Sequence, residues 1–253
     1  MKNIIDLSGK TILITGASSG IGAETAVLCS QVGAKIILVA RREEKLREIT
    51  RQLESSGHTY YPFDLGNVDE IEGFIKRIID ENGPLDGFVH SAGIPGTRPL
   101  KLFKPKAMRE IMDINFGSFV EIVRCITKKK AFRSGMSIIG VSSAASIKGG
   151  TGNTGYSASK AAMNAAVRCI AKELSLEGIR ANTISPGVID TDIYQKTLDN
   201  GGDSMDNQLK LYRQYLGLGK PVDVANMIAF LLSDASRMIT GTNVVIDGGM
   251  LTS

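Results

Sequence analysis

The stretch that decides the fold is Gly16-Ala17-Ser18-Ser19-Gly20-Ile21-Gly22, which joins a short apolar run, 10–15, to a helical pattern that extends through Val32. A strand that passes through a glycine-rich turn into a helix presents free backbone N–H groups at the helix N-terminus, and these bind phosphate. The glycines also allow a pyrophosphate to approach the backbone closely. This stretch therefore predicts a dinucleotide-binding βα unit.

Further apolar runs alternate with helical patterns along the whole chain. They predict strands at 35–40, 59–63, 85–91, 136–141, 180–184 and 243–246, and helices at 104–130, 155–178 and 221–232. This alternation is typical of a parallel sheet with helices on both faces. No internal repeat, linker or low-complexity tract divides the chain. The sequence therefore predicts one doubly wound α/β domain, Rossmann-like and seven-stranded, over residues 1–253.

A second informative stretch is Tyr156-Ser157-Ala158-Ser159-Lys160. Residues four apart lie on one helical face, so Tyr156 and Lys160 are expected to be neighbours. Tyrosine has a pKa of about 10, and a cation within about 4–6 Å lowers it, which makes the pair a candidate acid/base. An exposed tyrosine stacked on a lysine stem is the alternative. Ser143 follows the run 136–141, where its hydroxyl could hold a substrate oxygen.

Taken together, these features resemble the short-chain dehydrogenase/reductase family over nearly the whole chain. Thr15 and the glycine turn give T-G-x-x-x-G-x-G, which is similar to the cofactor fingerprint of that family. In overall pattern the chain is most similar to the 3-oxoacyl-(acyl-carrier-protein) reductases. The resemblance implies hydride transfer between a nicotinamide and a carbonyl/alcohol substrate, which could be bound to an acyl carrier protein. Sugar, steroid and other alcohol dehydrogenases of the family remain alternatives.

The resemblance also implies roles for four residues. Tyr156 is expected to protonate the developing alkoxide, and Ser143 to donate a hydrogen bond to the same oxygen. Lys160 is expected to lower the tyrosine pKa and to bind the nicotinamide ribose. Asn115, within Met112-Asp113-Ile114-Asn115-Phe116-Gly117, is expected at a helix kink whose free carbonyl holds a water of the proton relay.

Cofactor contacts are likewise implied along the chain. Asp64-Leu65 is expected at the adenine, although Asp64 could instead cap the helix that follows Asn67. The P-G-x-x-x-T stretch from Pro186 is expected along the nicotinamide. The whole set is Gly16, Ser18, Ser19, Ile21, Arg41, Arg42, Asp64, Leu65, Ser91, Ala92, Gly93, Tyr156, Lys160, Pro186, Gly187, Ile189 and Thr191.

Two positions bear on which cofactor is bound and how far the resemblance extends. Arg41 and Arg42 end the second strand, where NAD-binding proteins usually carry an acid for the ribose 2′-OH, so NADP(H) is favoured over NAD(H). Alternatively, both arginines simply lie on the surface. The family's N-N-A-G is His90-Ser91-Ala92-Gly93 here, so the asparagine hydrogen bonds are missing. His90 is expected to be a packed strand residue.

Composition narrows the class of protein. The chain has 253 residues, 43% of them hydrophobic, and a net charge of +4. The only basic run, 128–130, is expected at a solvated helix end, so nucleic acid is not an expected partner. Three cysteines in helical patterns lack metal-ligand spacing and are expected to be buried free thiols, with no metal site. No segment reaches the roughly 18 apolar residues of a membrane span, nor does the start resemble a signal peptide, so a cytoplasmic enzyme is expected.

The remaining expectations concern the region near 188–219 and the assembly. In this family that region covers the substrate, so we expect a mobile lid with an amphipathic stretch that carries Leu209, Tyr212, Tyr215 and Leu216. A surface helix with one packed face is the alternative. The resemblance also implies a homo-oligomer, most simply a tetramer. Two rival hypotheses remain open. One is a serine hydrolase, because 16–20 matches a G-x-S-x-G nucleophile elbow; the other is a dinucleotide-sensing regulator.

Overall fold

The protein, described here by a computed structural model over residues 5–192, 194–195 and 213–252, is built on a seven-stranded sheet. The strands are β1 (Thr11–Thr15), β2 (Lys35–Ala40), β3 (Thr59–Pro62), β4 (Leu85–His90), β5 (Phe132–Val141), β6 (Arg180–Pro186) and β7 (Asn243–Ile246). Their order is β3-β2-β1-β4-β5-β6-β7, and every pairing is parallel. The predicted doubly wound fold is confirmed.

The helices follow the strands in alternation. They are α1 (Gly20–Gln31), α2 (Glu43–Thr50), α3 (Ile71–Asn82), α4 (Pro105–Met112), α5 (Ser118–Ile126), α6 (Ala145–Lys148), α7 (Thr154–Glu173) and α8 (Pro221–Leu232). Short 3₁₀ turns lie at Val68–Glu70, Leu100–Leu102, Ser175–Glu177 and Asp234–Ser236. Within the described residues, no helix is long and apolar enough to cross a membrane.

The sheet separates two apolar cores. One contains buried side chains of α3, α5 and α7, such as Ile78, Phe119 and Val167. The other contains those of α1, α2 and α8, such as Leu46 and Ile228. Because both sheet faces are covered, the central strands are buried along nearly their whole length and form continuous apolar runs in the sequence.

The main difference from the prediction lies in the region 104–130, where one long helix was expected. It is interrupted by a π-helical turn at Asp113–Gly117, and α5 already ends at Ile126. π turns of this kind are frequent at functional sites. Lys128 therefore lies beyond the helix end, where it pairs with Glu72.

Two smaller expectations concern the cysteines and the lid. All three cysteines are free, but Cys169 on α7 is exposed rather than buried. Most of the region expected to form the lid lies outside the described residues, including Leu209 and Tyr212, while Tyr215 and Leu216 are described and exposed.

Candidate active site

The carboxyl ends of the parallel strands meet at one edge of the sheet, and the predicted site residues follow them there. Strand order reverses between β1 and β4, because the chain passes from β3 at one edge back to the other side of β1. Ligands of open α/β sheets bind in the crevice at such a switch point. The glycine turn after β1 lies at this crevice, and the segments after β4, β5 and β6 adjoin it.

Tyr156, Lys160 and Ser143 come together beside the end of β5. Tyr156 lies in the first turn of α7, and Nζ of Lys160 is 5.9 Å from the centre of the tyrosine ring. Burial raises the pKa of Tyr156, and a hydrogen bond with Ser143 lowers it in part. The net direction is upward, and the expectation that Lys160 lowers this pKa stays a prediction. Desolvation of the phenolate is the larger effect.

Lys160 is a buried cation without a carboxylate partner among the described residues. It is only 4% exposed, and its Nζ donates to the carbonyl of Val141 over 2.7 Å. Burial lowers the pKa of Lys160 to about 8. The ammonium group therefore loses its proton far more readily than an exposed lysine, which suits a group in a proton path.

Asn115 is fully buried in the π-helical turn, and its side chain is committed to protein contacts. Its Oδ1 accepts from the backbone N–H of Ile94 over 2.8 Å. Its Nδ2 donates to the Ile94 carbonyl over 3.1 Å and to Oγ of Ser159 over 3.0 Å. Both donors of the amide are used, so the amide holds the segment after β4 against α7. Only the backbone of Asn115 remains for the expected relay.

The glycine turn is closely packed against the end of β4. Gly16 has a φ of +69°, and a Cβ there would lie 2.6 Å from the backbone N of Ala92. A Cβ on Gly22 would lie 2.4 Å from the carbonyl oxygen of Gly16. Side chains at these positions would therefore clash with the backbone, so the close packing of the turn requires glycine. Ile21, in the first turn of α1, packs against the adjacent core.

The two arginines after β2 have different surroundings. Arg42 reaches back over the glycine turn and donates from Nη2 to Oγ of Ser18 over 2.9 Å and to Oγ of Ser19 over 2.8 Å. Its Nη1 is also 3.9 Å from a carboxylate oxygen of Asp192. Arg41 points toward Asp64 instead, at 3.9 Å. A guanidinium flanked by two serine hydroxyls forms a small set of donors suited to an anion.

The residues expected to contact the adenine, and those near them, lie after β3 and β4. Oδ1 of Asp64 accepts from the backbone N–H of Gly66 over 3.0 Å, which forms a local turn; this oxygen does not cap the following helix. The side chain of Leu65 is buried in the core, so only its backbone faces the crevice edge. Ser91 continues the pairing of β4 with β1 through its N–H to Thr15. A Cβ on Gly93 would lie 3.3 Å from both Asn115 Oδ1 and Lys160 Nζ.

The segment after β6 returns to the glycine turn. The N–H of Gly187 donates to Ile246 over 2.9 Å, and the hydroxyl of Thr191 donates to the carbonyl of Ile189 over 3.4 Å. The methyl group of Thr191 lies 3.2 Å from where a Cβ of Gly20 would stand. Pro186, the last residue of β6, is buried. The two ends of the predicted cofactor site are thus in direct contact.

His90 is a packed strand residue, as expected. It is fully buried, its Nδ1 lies 3.0 Å from Oγ1 of Thr15, and its ring neighbours those of Phe88 and Phe119. Burial and the nearby Lys160 lower the pKa of His90 to about 3. The imidazole is therefore neutral, and its contact with Thr15 supports the residue that directly precedes the glycine turn.

The geometry does not support the hydrolase hypothesis. A nucleophile elbow needs a histidine within hydrogen-bond reach of its serine. Ser18 instead accepts from Arg42, His90 is bonded to Thr15, and His58 accepts from the backbone N–H of Ile36.

Sequence reasoning missed one residue that the site depends on. Gln214 is 5% exposed, and its side-chain amide pairs with the backbone of Val188 in the segment after β6. No local motif marks it, because it lies 26 residues along the chain from its partner. Only its return beside Pro186–Ile189 in the folded chain reveals the contact.

Comparison with known proteins agrees with this fold. The family model described as enoyl-(acyl carrier protein) reductase matches residues 16–251. The 3-oxoacyl-(acyl-carrier-protein) reductase of Thermotoga maritima is 32% identical over 97% of this chain and 99% of its own length. The chain belongs to the short-chain dehydrogenase/reductase family. It is an oxidoreductase of that family, as its relatives are.

Two further similarities show how broad the family is. The L-xylulose reductase of Caenorhabditis elegans is 32% identical over 96% of both chains. A short-chain type dehydrogenase/reductase from Mycobacterium ulcerans has a TM-score of 0.89 at 28% identity, covering 98% of this chain and 91% of that one. The relatives' names share the reductase class but differ in substrate, one naming a 3-oxoacyl-(acyl-carrier-protein) and another L-xylulose.

Proposed function

We propose that the protein is an NADP(H)-dependent reductase that transfers a hydride between nicotinamide and a carbonyl/alcohol substrate. The observation that carries the cofactor choice is the position of Arg42, which bonds Ser18 and Ser19 over the glycine turn. An arginine there accommodates a ribose 2′-phosphate, whereas an acid would hold a free 2′-OH. Two serine hydroxyls beside it add donors for the same phosphate.

The residues present fit such a cofactor. Glycine at 16 and 22 lets the turn pack closely against the neighbouring backbone at the α1 N-terminus, where free N–H groups suit a pyrophosphate. The full set proposed to bind it is the one expected from the sequence, with the backbone of Leu65 rather than its side chain. When bound, the nicotinamide supplies or accepts the hydride.

The proton is proposed to be transferred by residues of the chain itself. Tyr156 is the proposed acid in the reductive direction, because its raised pKa keeps the phenol protonated at neutral pH. Ser143 is proposed to donate to the same substrate oxygen, so that both hydrogen bonds tighten as charge develops on it. Lys160 and the backbone carbonyl of Asn115 are proposed to return the proton through water. Lys160 suits this role because its pKa of about 8 is near neutrality.

Similarity to the relatives also supports a proposal for the substrate class. Similarity to a 3-oxoacyl-(acyl-carrier-protein) reductase at near full length supports a 3-oxoacyl thioester, carried by an acyl carrier protein, as the substrate to test first. We further propose that residues 188–219 cover the substrate and that the protein is a homotetramer. Light scattering that gives a monomer-sized particle would contradict the second point.

The first experiment is a titration with NADPH and NADH, read by the fluorescence of the reduced nicotinamide because the chain has no tryptophan. We expect NADPH to bind at least tenfold more tightly than NADH, and Arg42→Ala to remove this preference. One charge-assisted hydrogen-bonding group is worth about 1.5–3 kcal/mol, and about 1.4 kcal/mol is tenfold.

Arg51→Ala provides the matched control for this titration. Arg51 is an exposed arginine at the end of α2 and lies away from the glycine turn. Its removal should leave the preference unchanged. Equal binding of NADPH and NADH to the unmodified protein would contradict the cofactor assignment and leave an NAD(H)-dependent enzyme of the same family.

A further inference from the structure

Gln214 lies just after the undescribed part of the 188–219 region, and its side chain is used entirely for backbone contacts. Its Oε1 accepts from the N–H of Val188 over 2.7 Å. Its Nε2 donates to the carbonyl of Val188 over 2.9 Å and to that of Gly217 over 2.6 Å. A buried amide with both donors and its oxygen bonded is costly to replace.

These bonds extend a short parallel pairing. The carbonyl of Val188 also accepts from Gly219, and the N–H of Asp190 donates to Gly219 over 2.8 Å, so Ile189 and Gly219 form an isolated bridge. The side chain of Gln214 pairs with Val188 as a peptide group of a strand would. It thereby holds one more residue of the segment in extended conformation.

The pairing fixes the direction in which Ile189 points. In an extended segment, successive residues direct their backbone N–H and C=O groups to opposite sides. Val188 directs both of its groups, and Asp190 its N–H, toward Gln214 and Gly219. The N–H and C=O of Ile189 therefore face the other side, along which the nicotinamide is proposed to lie.

Packing leaves little freedom at this position. A Cβ on Gly187 would lie 2.4 Å from Oε1 of Gln214, and one on Gly248 would lie 2.9 Å from its Cγ. Arg213, the residue before it, has a φ of +55°, in the left-handed region that residues with a side chain rarely adopt. The turn thus includes an unfavourable backbone conformation directly before the residue that bonds Val188.

We propose that Gln214 is a positioning residue for the cofactor: it holds residues 188–190 so that the N–H and C=O of Ile189 meet the carboxamide of the nicotinamide. This inference rests on the proposed function, because it requires a nicotinamide at this segment. A carboxamide has one donor group and one acceptor, which match the C=O and N–H of one extended residue.

The test compares three variants. Gln214→Met keeps the volume but removes all three hydrogen bonds. Gln214→Glu keeps an oxygen that accepts from Val188. Gln195→Met is the matched control, because the side chain of this exposed glutamine donates to a carboxylate oxygen of Asp190 in the same segment, over 2.6 Å, rather than to its backbone.

Two ligands distinguish weaker binding at the nicotinamide end from weaker binding at the whole site. NADPH occupies both ends of the site, whereas 2′,5′-ADP carries only the adenine half and its 2′-phosphate. We expect Gln214→Met to weaken NADPH binding about tenfold or more, while 2′,5′-ADP binds as before, because the glycine turn and Arg42 are untouched. Gln195→Met should change neither.

The Gln214→Glu variant adds a pH dependence that a purely packing role would not produce. When protonated, the introduced carboxyl group can both accept from the N–H and donate to the C=O of Val188. When ionised, it can only accept, and its charge faces two carbonyl oxygens. NADPH binding by this variant should therefore be near that of the unmodified protein at low pH and fall as pH rises. The unmodified protein should not show this loss.

The outcomes are distinct. Unchanged NADPH binding in Gln214→Met, or equal losses of NADPH and 2′,5′-ADP with a pH-independent Gln214→Glu, would overturn the positioning role. If the unmodified protein prefers NADH, only the 2′-phosphate part of the proposed function fails, and NADH with AMP gives the same comparison. If it binds neither cofactor, the proposed function fails and this inference fails with it.

Discussion

The two ends of the proposed cofactor site are built in different ways. The phosphate end is local: the glycine turn follows β1 directly, and Arg42 closes it from the end of the neighbouring strand. The nicotinamide end is assembled from segments far apart in the chain, because Gly187 contacts both Gln214 and Asp247. The local phosphate end should therefore tolerate substitutions in distant segments. The assembled nicotinamide end depends on every segment that contributes to it.

Chemistry should depend most strongly on the assembled end. Tyr156→Phe removes the proposed acid but leaves the ring, the helix and the glycine turn in place. We expect kcat to fall by about 10²–10⁴-fold, the usual contribution of a positioned acid, with the NADPH dissociation constant nearly unchanged. Steady-state kinetics on a ketone substrate, together with the NADPH titration, measure both. A variant that retains most of its kcat would remove Tyr156 from the mechanism.

At the local phosphate end, replacing Gly16 should cause a steric clash. Gly16→Ala places a Cβ 2.6 Å from the backbone of Ala92 at a φ of +69°. The backbone conformation costs roughly 1–2 kcal/mol and overpacking roughly 1–3 kcal/mol more. We expect the free energy of unfolding to fall by about 3 kcal/mol and NADPH binding to be lost, as measured by urea denaturation and titration.

Gly57→Ala separates the two costs of that substitution. Gly57 also has a positive φ, +90°, but a Cβ there would meet nothing within 4 Å. Its replacement should therefore cost only the backbone part, roughly 1–2 kcal/mol, and leave NADPH binding intact. Equal destabilisation by the two variants would show that the close approach of Gly16 to β4 is not what requires glycine.

The same contrast explains what could be predicted from the sequence. The strands and the glycine turn were predictable because apolar periodicity and turn chemistry are local; the predicted bounds of β2, β7 and α8 match the structure. The π-helical turn at Asp113–Gly117 was not predictable from periodicity, since a π turn changes the helical phase by a fraction of a turn. Gln214 was missed because its role depends on a contact with Val188 that exists only in the folded chain.

The pKa shifts at the site could not be predicted from the sequence either, since a Y-x-x-x-K spacing indicates that the two side chains are neighbours but not how deeply they are buried. Tyr156 and Lys160 are both desolvated, and the effect on the tyrosine pKa is upward. Ionisation at the site is therefore set by its burial in the fold as well as by the pair itself.

Lys160→Met should change the free energy of unfolding with the opposite sign to the glycine substitutions. Burial lowers the pKa of Lys160 from 10.5 to about 8, so in this range the unfolded chain binds more protons than the folded one. The folded protein therefore carries a penalty of roughly 3 kcal/mol near neutral pH, which shrinks as pH rises from the folded pKa toward the unfolded one. Methionine removes this penalty and also the bond to Val141, worth about 1 kcal/mol.

The Lys160→Met variant is therefore expected to be inactive but about 2 kcal/mol more stable at about pH 7, with the gain falling to about zero by about pH 9.5. Urea denaturation of both proteins at the two pH values measures it. A loss of stability near neutral pH would show that the buried ammonium is stabilised by contacts beyond Val141. A gain that does not change with pH would show instead that the improvement comes from apolar packing, since that contribution does not titrate. Either result would contradict the inference that burial of the Lys160 ammonium lowers stability at the assembled end of the site in return for its role in catalysis.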